Sequence, residues 1–346
     1  MRRLLMEGAA MTNARIMIVI MAILVSCAPT NARAESSELR VAEQFGIAYL
    51  PFLVMRKDHL IEKHLEKAGL SNIDVKWVKF GGGSSMNEAL ISGSLDFAAA
   101  GIPAFLSLWN KTENNPSDVA VAAGLNNIPV FLNTSDPNIH SIKDFKGSDK
   151  IALPAVKVSL QAMVLQMAAA KEWGRANSTR LDKLTVSMKH PDAMVAMLSK
   201  GGEVKNHFGS PPFMFEELRY PGVRTILNSA DVLGPHNFNV VYTTKSFHEK
   251  NPKLYKAFIV ALDEAMKIIN ADKRDAARLY VESASNKKEN FDDTYKMVND
   301  PAMEFTTVPN GLMKFANFMS DMGMLTRKLK SWRDLCFPEA AAKAGS

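Results

Sequence analysis

The stretch Gly81-Gly82-Gly83-Ser84-Ser85 is the strongest local site signal in the chain. It follows the strand-like run DVKWVKF and precedes a segment of helical spacing. Glycines let a backbone come close to a ligand, and N–H groups freed at a helix start can hold an anionic oxygen. Ser85 and Glu88 have capping-box spacing, so a turn with a serine cap would use the same residues. The loop does not fit a nucleotide site: no Gly-Lys-Ser/Thr follows, and no second spaced glycine completes a dinucleotide fingerprint. A matching place further on is Lys189-His190-Pro191-Asp192. There Pro191 suits a helix start and His190 would face a crevice, although a lone histidine also serves as a structural hydrogen-bonder. In Val156-Lys157-Val158-Ser159, Ser159 could hydrogen-bond a ligand, and Lys157 could balance an anion or stand as a solvated charge.

Catalytic patterns are poorly represented. The seven histidines are scattered, and His59 and His64 are five apart rather than the four that would set two ligands on one helical face. There is no G-x-S-x-G elbow and no calcium loop. The 20 methionines read as adaptable core. No catalytic residue, metal ligand or cofactor is assigned, and the expected chain is not an enzyme.

These loops need elements to hold them. Strand candidates are residues 39–45, 74–80, 97–101 and 119–125, then 130–134, 150–155, 184–189, 204–209, 223–228 and 238–244. Helical spacing lies between them, most clearly over 159–173, with Gly174 as a stop. Such alternation predicts an α/β fold with largely parallel sheets. Residues 75–103 also resemble residues 183–211 at an offset of 108. Val78 meets Val186, Leu90 meets Leu198, Gly93 meets Gly201 and Pro103 meets Pro211. Two similar α/β lobes are therefore expected, each with a crevice at its strand ends, facing each other across a hinge. Beyond Thr244 the pattern turns helical. Asn251 could cap a helix beginning at Pro252, with Leu254, Phe258, Leu262, Ala265 and Ile269 on one face. Further helices are expected around 274–283, 291–299 and 312–322.

Of the 346 residues, 47% are hydrophobic and 23% are charged, an ordinary globular composition long enough for two units. Half of the formal charge of +6 comes from Arg2, Arg3, Arg15 and Arg33 set against Glu7. The remainder is too weakly basic for nucleic acid, and no dense basic run with aromatics appears. The basic start, the apolar run over 16–25 and Ala32-Arg33-Ala34 read as a secretory signal cleaved after Ala34. Leu24-Val25-Ser26-Cys27 also resembles a lipoprotein box, which would anchor the chain through Cys27. With Ala34 as the cleavage site, Cys336 has no disulfide partner.

Four stretches carry a family resemblance. NEALISGSLDFAAAGIPAFLSLW resembles the nitrate/sulfonate/taurine group of periplasmic binding proteins, which includes thiamine-precursor binders. So do SIKDFKGSDKIALPAVKVSLQAMVLQMAA, HPDAMVAMLSKGGEVKNHFGSPPF and NPKLYKAFIVALDEAMKIIN. The resemblance covers residues 39–338. It implies a type II periplasmic-binding-protein fold with a two-strand hinge. The expected layout is residues 1–34 as signal, 35–128 and 240–346 as lobe 1, and 129–239 as lobe 2. It further implies a monomer that captures a small anionic or polar molecule and delivers it to an ABC permease with a cytoplasmic ATPase. A periplasmic sensor is the alternative. An enzyme making a thiamine pyrimidine would need an iron-binding cysteine motif that this chain lacks. By location, the family's pocket positions carry over to Gln44, Phe45, Ser84, Ser85, Pro103, Asn127, Ser159, His190, Ser210 and Asn239. No arginine and no acidic pair stands among them, and Asp192 is the one acid nearby. That argues against taurine, whose ammonium would want a carboxylate.

Overall fold

The computed structural model describes residues 35–283 and 290–346. The expected signal, with Cys27 and Ala34, lies outside the described residues. Strand β1 (Glu38–Glu43) leads through a turn into α1 (Leu50–Lys57) and α2 (Leu60–Lys67). Next come β2 (Asp74–Lys79), α3 (Gly83–Ile91), β3 (Ala98–Gly101), α4 (Ile102–Lys111) and β4 (Val119–Asn127). The chain then crosses into β5 (Phe131–Thr134), β6 (Lys150–Leu153), α5 (Leu160–Trp173), β7 (Thr185–Ser187) and α6 (His190–Leu198). β8 (Val204–Gly209), α7 (Phe213–Glu217) and β9 (Arg224–Asn228) follow, and β10 (Asn237–Thr244) returns.

The two halves repeat one plan. In the second, the strand order is β7-β6-β8-β5-β9, with β6 parallel to β7 and β8, and β5 antiparallel to β8 and β9. In the first, β1 is parallel to β2, a parallel bridge joins Val41 to Phe97 beside β3, and β10 runs antiparallel between β3 and β4. This gives the matching order β2-β1-β3-β10-β4. The offset of 108 seen in the sequence superposes β2 on β7, α3 on α6 and β3 on β8. Gly93 and Gly201, which close the turn after each helix, are left-handed with φ of 72° and 75°. That conformation is open to glycine and strained for other residues.

The helical tail comprises α8 (Pro252–Ala271), α9 (Lys273–Ser283), α10 (Phe291–Asn299) and α11 (Leu312–Asp321). Leu254, Phe258, Leu262, Ala265 and Ile269 are all fully buried, on the face expected from their spacing. Phe258 stacks on Phe97 with centroids 3.9 Å apart, which ties this helix to the first sheet. Asn251 precedes α8 but does not cap it. Its Oδ1 accepts instead from the Ser36 N–H at 2.8 Å, so the side chain anchors the start of the described chain. Among the described residues, no helix is long and apolar enough to cross a membrane.

Where β4 and β10 cross between the lobes, asparagines bind the two strands together. Asn237 Nδ2 donates to Asn127 Oδ1 at 2.7 Å, and its Oδ1 accepts from Asn310 N–H at 2.7 Å. Asn126 Nδ2 donates to the Ala48 carbonyl at 2.7 Å, while its Oδ1 accepts from Asn239 N–H.

The repeat makes a paired prediction. A Cβ at Gly93 or Gly201 would meet nothing within 4 Å, so only backbone strain opposes alanine there. Gly93→Ala and Gly201→Ala should each destabilise the fold by about 1–2 kcal/mol, read by chemical denaturation. A neutral result at either position would break the equivalence of the two turns.

A buried cavity between the lobes

The helices that follow β2, β3, β6 and β7 begin at the junction of the lobes. Gly83 opens α3, Gly101 is the N-cap of α4, Ser159 the N-cap of α5, and His190 the first residue of α6. These four helix starts line one buried cavity of about 20 Å³, together with Gln44, Pro154, Gln161, Phe238 and Asn239. That volume holds roughly one water. A larger ligand would enter only when the lobes separate.

The lobes meet through glycine. A Cβ at Gly82 would lie 2.8 Å from the Pro154 carbonyl oxygen, one at Gly101 would lie 3.0 Å from Leu160 Cβ, and one at Gly46 would lie 2.6 Å from the Pro211 carbonyl oxygen. Within the three-glycine run, Gly82 thus lets backbone touch backbone across the cleft, while Gly81 sits under the Lys189 side chain and Gly83 against Ala100 and Ala104. A second, larger space of about 350 Å³ also includes Gln44, with Phe45, Leu53, Pro191 and Phe213. There Glu43 pairs with Arg56 at 3.2 Å and with Lys79 at 3.6 Å.

Polar groups in the cavity are neutral. No side chain caps α3, α4 or α6. Ser159 does cap α5, accepting from the Ala162 N–H at 3.2 Å. Asn239 is 1% exposed, and its Nδ2 bonds to no other protein group. Burial, reinforced by the neighbouring His207 ring, pushes His190 well below the usual imidazole range, which leaves it uncharged at neutral pH. Four helix starts, the unpartnered Asn239 amide nitrogen and no lysine or arginine in the lining make a dipolar surface suited to a small anion.

The structure brings Gln44, Ser159, His190 and Asn239 of the expected set to this cavity. The other six stand elsewhere. Phe45 lines the larger neighbouring space, with Lys79 Nζ 5.1 Å from its ring centre. Ser84 and Ser85 are exposed on an open groove with Glu88 and Lys189. The expected capping box is absent because α3 starts two residues before Ser85, whose hydroxyl donates back to the Gly82 carbonyl at 3.0 Å. Pro103 is buried in the first turn of α4. Asn127 belongs to the asparagine set and bonds Glu304 as well. Ser210 is buried after β8, its carbonyl accepting from Met214 N–H at 3.2 Å, and does not line the cavity. Gln161 was missed. It follows the Ser159 cap by two residues inside an apolar helix, where a polar side chain 1% exposed signals a role. Among the described residues, no cluster of three or more acids, histidines or cysteines could hold a metal.

Paired α/β lobes in this strand order, crossed by two strands over a buried dipolar cavity, define a periplasmic-binding-protein fold. The chain belongs to the NMT1-like family, whose model matches residues 32–284. The alkanesulfonate-binding protein SsuA of Xanthomonas axonopodis pv. citri, bound to MOPS, superposes with a TM-score of 0.68 at 17% identity, over 85% of this chain and 96% of that one. The nitrate-binding protein NrtA of Synechocystis PCC 6803 gives 0.67 at 13% identity, over 87% and 85%. The aliphatic sulphonate binding protein SsuA of Escherichia coli gives 0.62 at 17% identity, over 90% and 100%. At these identities the likeness is one of fold. No curated protein matches the sequence.

Two substitutions separate closure from recognition. Gly82 is extended, with φ of −176°, so alanine adds no backbone strain and acts on the contact with Pro154 alone. Gly82→Ala should weaken ligand binding by about 1 kcal/mol, roughly fivefold, with little change in the melting temperature of the free protein. Asn239→Ala should lower affinity for a small oxyanion such as methanesulfonate about tenfold, while Ser84→Ala leaves it unchanged. Calorimetric titration checks all three. Equal losses at Asn239 and Ser84 would refute this cavity as the site.

Proposed function

We propose that the chain is an exported solute-binding receptor that closes its two lobes over a small anionic molecule and delivers it to an ABC permease driven by a cytoplasmic ATPase. The observation that carries this reading is the convergence of four helix starts on one cavity that also holds the unpartnered Asn239 amide. In this reading lobe 1 comprises residues 35–128 and 240–346, lobe 2 comprises 129–239, and the asparagine-bound strands are the hinge. Cleavage after Ala34 releases the chain as a monomer. It needs no cofactor and leaves its ligand chemically unchanged. The sulfonate- and nitrate-binding relatives in fold support an oxyanion as the ligand.

Binding energy here comes from dipoles that closure strips of water. Helix ends and amides are fixed before the ligand arrives, so little reorganisation opposes capture. Contacts made by both lobes exist only in the closed form, and the ligand shifts the population toward it.

A thermal-shift screen of residues 35–346 against methanesulfonate, nitrate, methylphosphonate, aromatic carboxylates and pyrimidines tests the reading. A ligand at about 100 times its dissociation constant should stabilise the fold by ~2.7 kcal/mol. Because the donors are buried dipoles, that gain should survive in about 0.5 M salt, where exposed charge pairs are screened. Stabilisation by none of the anions would refute the anion receptor.

A further inference from the structure

Behind the cavity wall lies a row of buried polar groups that capture by dipoles does not require. Asn133, His207 and Glu217 are 0% exposed and His190 is 5% exposed. Asn133 Nδ2 donates to the Met214 carbonyl at 2.8 Å, and a carbonyl can only accept, so the amide orientation is settled. The same Nδ2 donates to Glu217 Oε2 at 2.9 Å, and Asn133 Oδ1 accepts from the Thr225 hydroxyl at 2.8 Å. Glu217 Oε1 meets His207 Nδ1. His207 Nε2 lies 2.8 Å from His190 Nδ1. The row ends at the cavity with His190 Nε2, 3.4 Å from Gln161 Nε2.

Taking both imidazoles as neutral and Glu217 as a carboxylate, one proton arrangement satisfies every member. The Glu217 carboxylate only accepts, so His207 carries its proton on Nδ1 and offers a lone pair at Nε2. His190 must then donate from Nδ1, which leaves its Nε2 bare and facing the cavity. The Gln161 amide nitrogen, a donor, stands beside that lone pair. An added proton on His207 would reverse the row and turn His190 Nε2 into a donor.

We propose that Glu217, acting through His207, holds His190 in the Nδ1–H tautomer, so that the cavity selects an oxyanion that carries a proton of its own. Helix ends and Asn239 receive the bare oxygens, and His190 Nε2 receives the O–H. A fully deprotonated anion of the same shape would set an oxygen lone pair against a nitrogen lone pair in a dry site, a mismatch of the kind that gives large discrimination. Glu217 and His207 are positioning residues, and the ligand class rests on the receptor reading above.

Two measurements test this. Long-range proton–nitrogen NMR of the intact mature protein at about pH 7, with ring signals assigned through His190→Gln and His207→Gln, should show both rings neutral with the proton on Nδ1. A proton on His190 Nε2, or a cationic ring at either position, would overturn the orientation by Glu217. The second compares methanesulfonate with methylphosphonate, which match in shape, at about pH 6, where a phosphate-like group still retains a proton. The wild-type protein should favour hydrogen methylphosphonate about tenfold. Glu217→Gln can donate to His207 Nδ1 and so reverse the row, and should bring that ratio to one or below. Equal wild-type affinities would overturn the selection. Binding of neither probe, with the tautomers as stated, would instead sink the receptor reading and leave the role of Glu217 standing.

Discussion

The antiparallel seat of β10 between β3 and β4 is the pairing on which the rest of the molecule depends. Each sheet needs, as its fourth strand, one that runs against the other four, which are parallel to one another. In the second lobe that strand is β5, which the chain supplies on arrival. In the first lobe it is β10, which the chain supplies only on its return. The first sheet is therefore incomplete until the second lobe has been traversed. Removing β10 would expose the largely buried strands on either side of it. The same strand carries Asn239 into the cavity and holds Asn237 in the asparagine set, so one pairing joins lobe integrity, hinge and site.

The cavity handles charge without charged side chains. Arg56 and Lys79 line the neighbouring space, already engaged by Glu43, while the cavity itself offers helix ends, an amide and a neutral imidazole. Placing a lysine inside would require its desolvation each time the lobes close. Fixed dipoles carry a smaller cost and are oriented by the helices themselves. Glycine at the lobe contacts belongs to the same design, since any side chain at Gly82 or Gly46 would keep the backbones apart and admit water. Glu217, at zero exposure, has both carboxyl oxygens engaged, one accepting from Asn133 and the other meeting His207.

Much of the architecture was legible in the order of residues. The two-lobed α/β plan, the repeat and the helix after Pro252 all follow from local rules of spacing and turn geometry. The departures are also local in origin. Ser85 was read as a cap because its distance from Glu88 fits, yet the helix begins earlier, at Gly83, and turns both serines outward. Asn251 sits where a cap belongs, but its side chain bonds to Ser36, 215 residues away.

By itself, the sequence determined which backbone segments could form a ligand-facing loop, because glycine, proline and cap residues act within a few positions of where they stand. It could not determine which side chains meet. Gln44, Ser159, His190 and Asn239 converge only because two sheets separately bring their strand ends to one junction. Ser210, Asn127 and Pro103 occupy equally promising loops and are drawn into packing or the asparagine set instead. The row from Glu217 through His207 to His190 was invisible for the same reason. Its members lie on α7, β8 and α6, and only the packing of those elements brings their nitrogen and oxygen atoms within hydrogen-bonding distance.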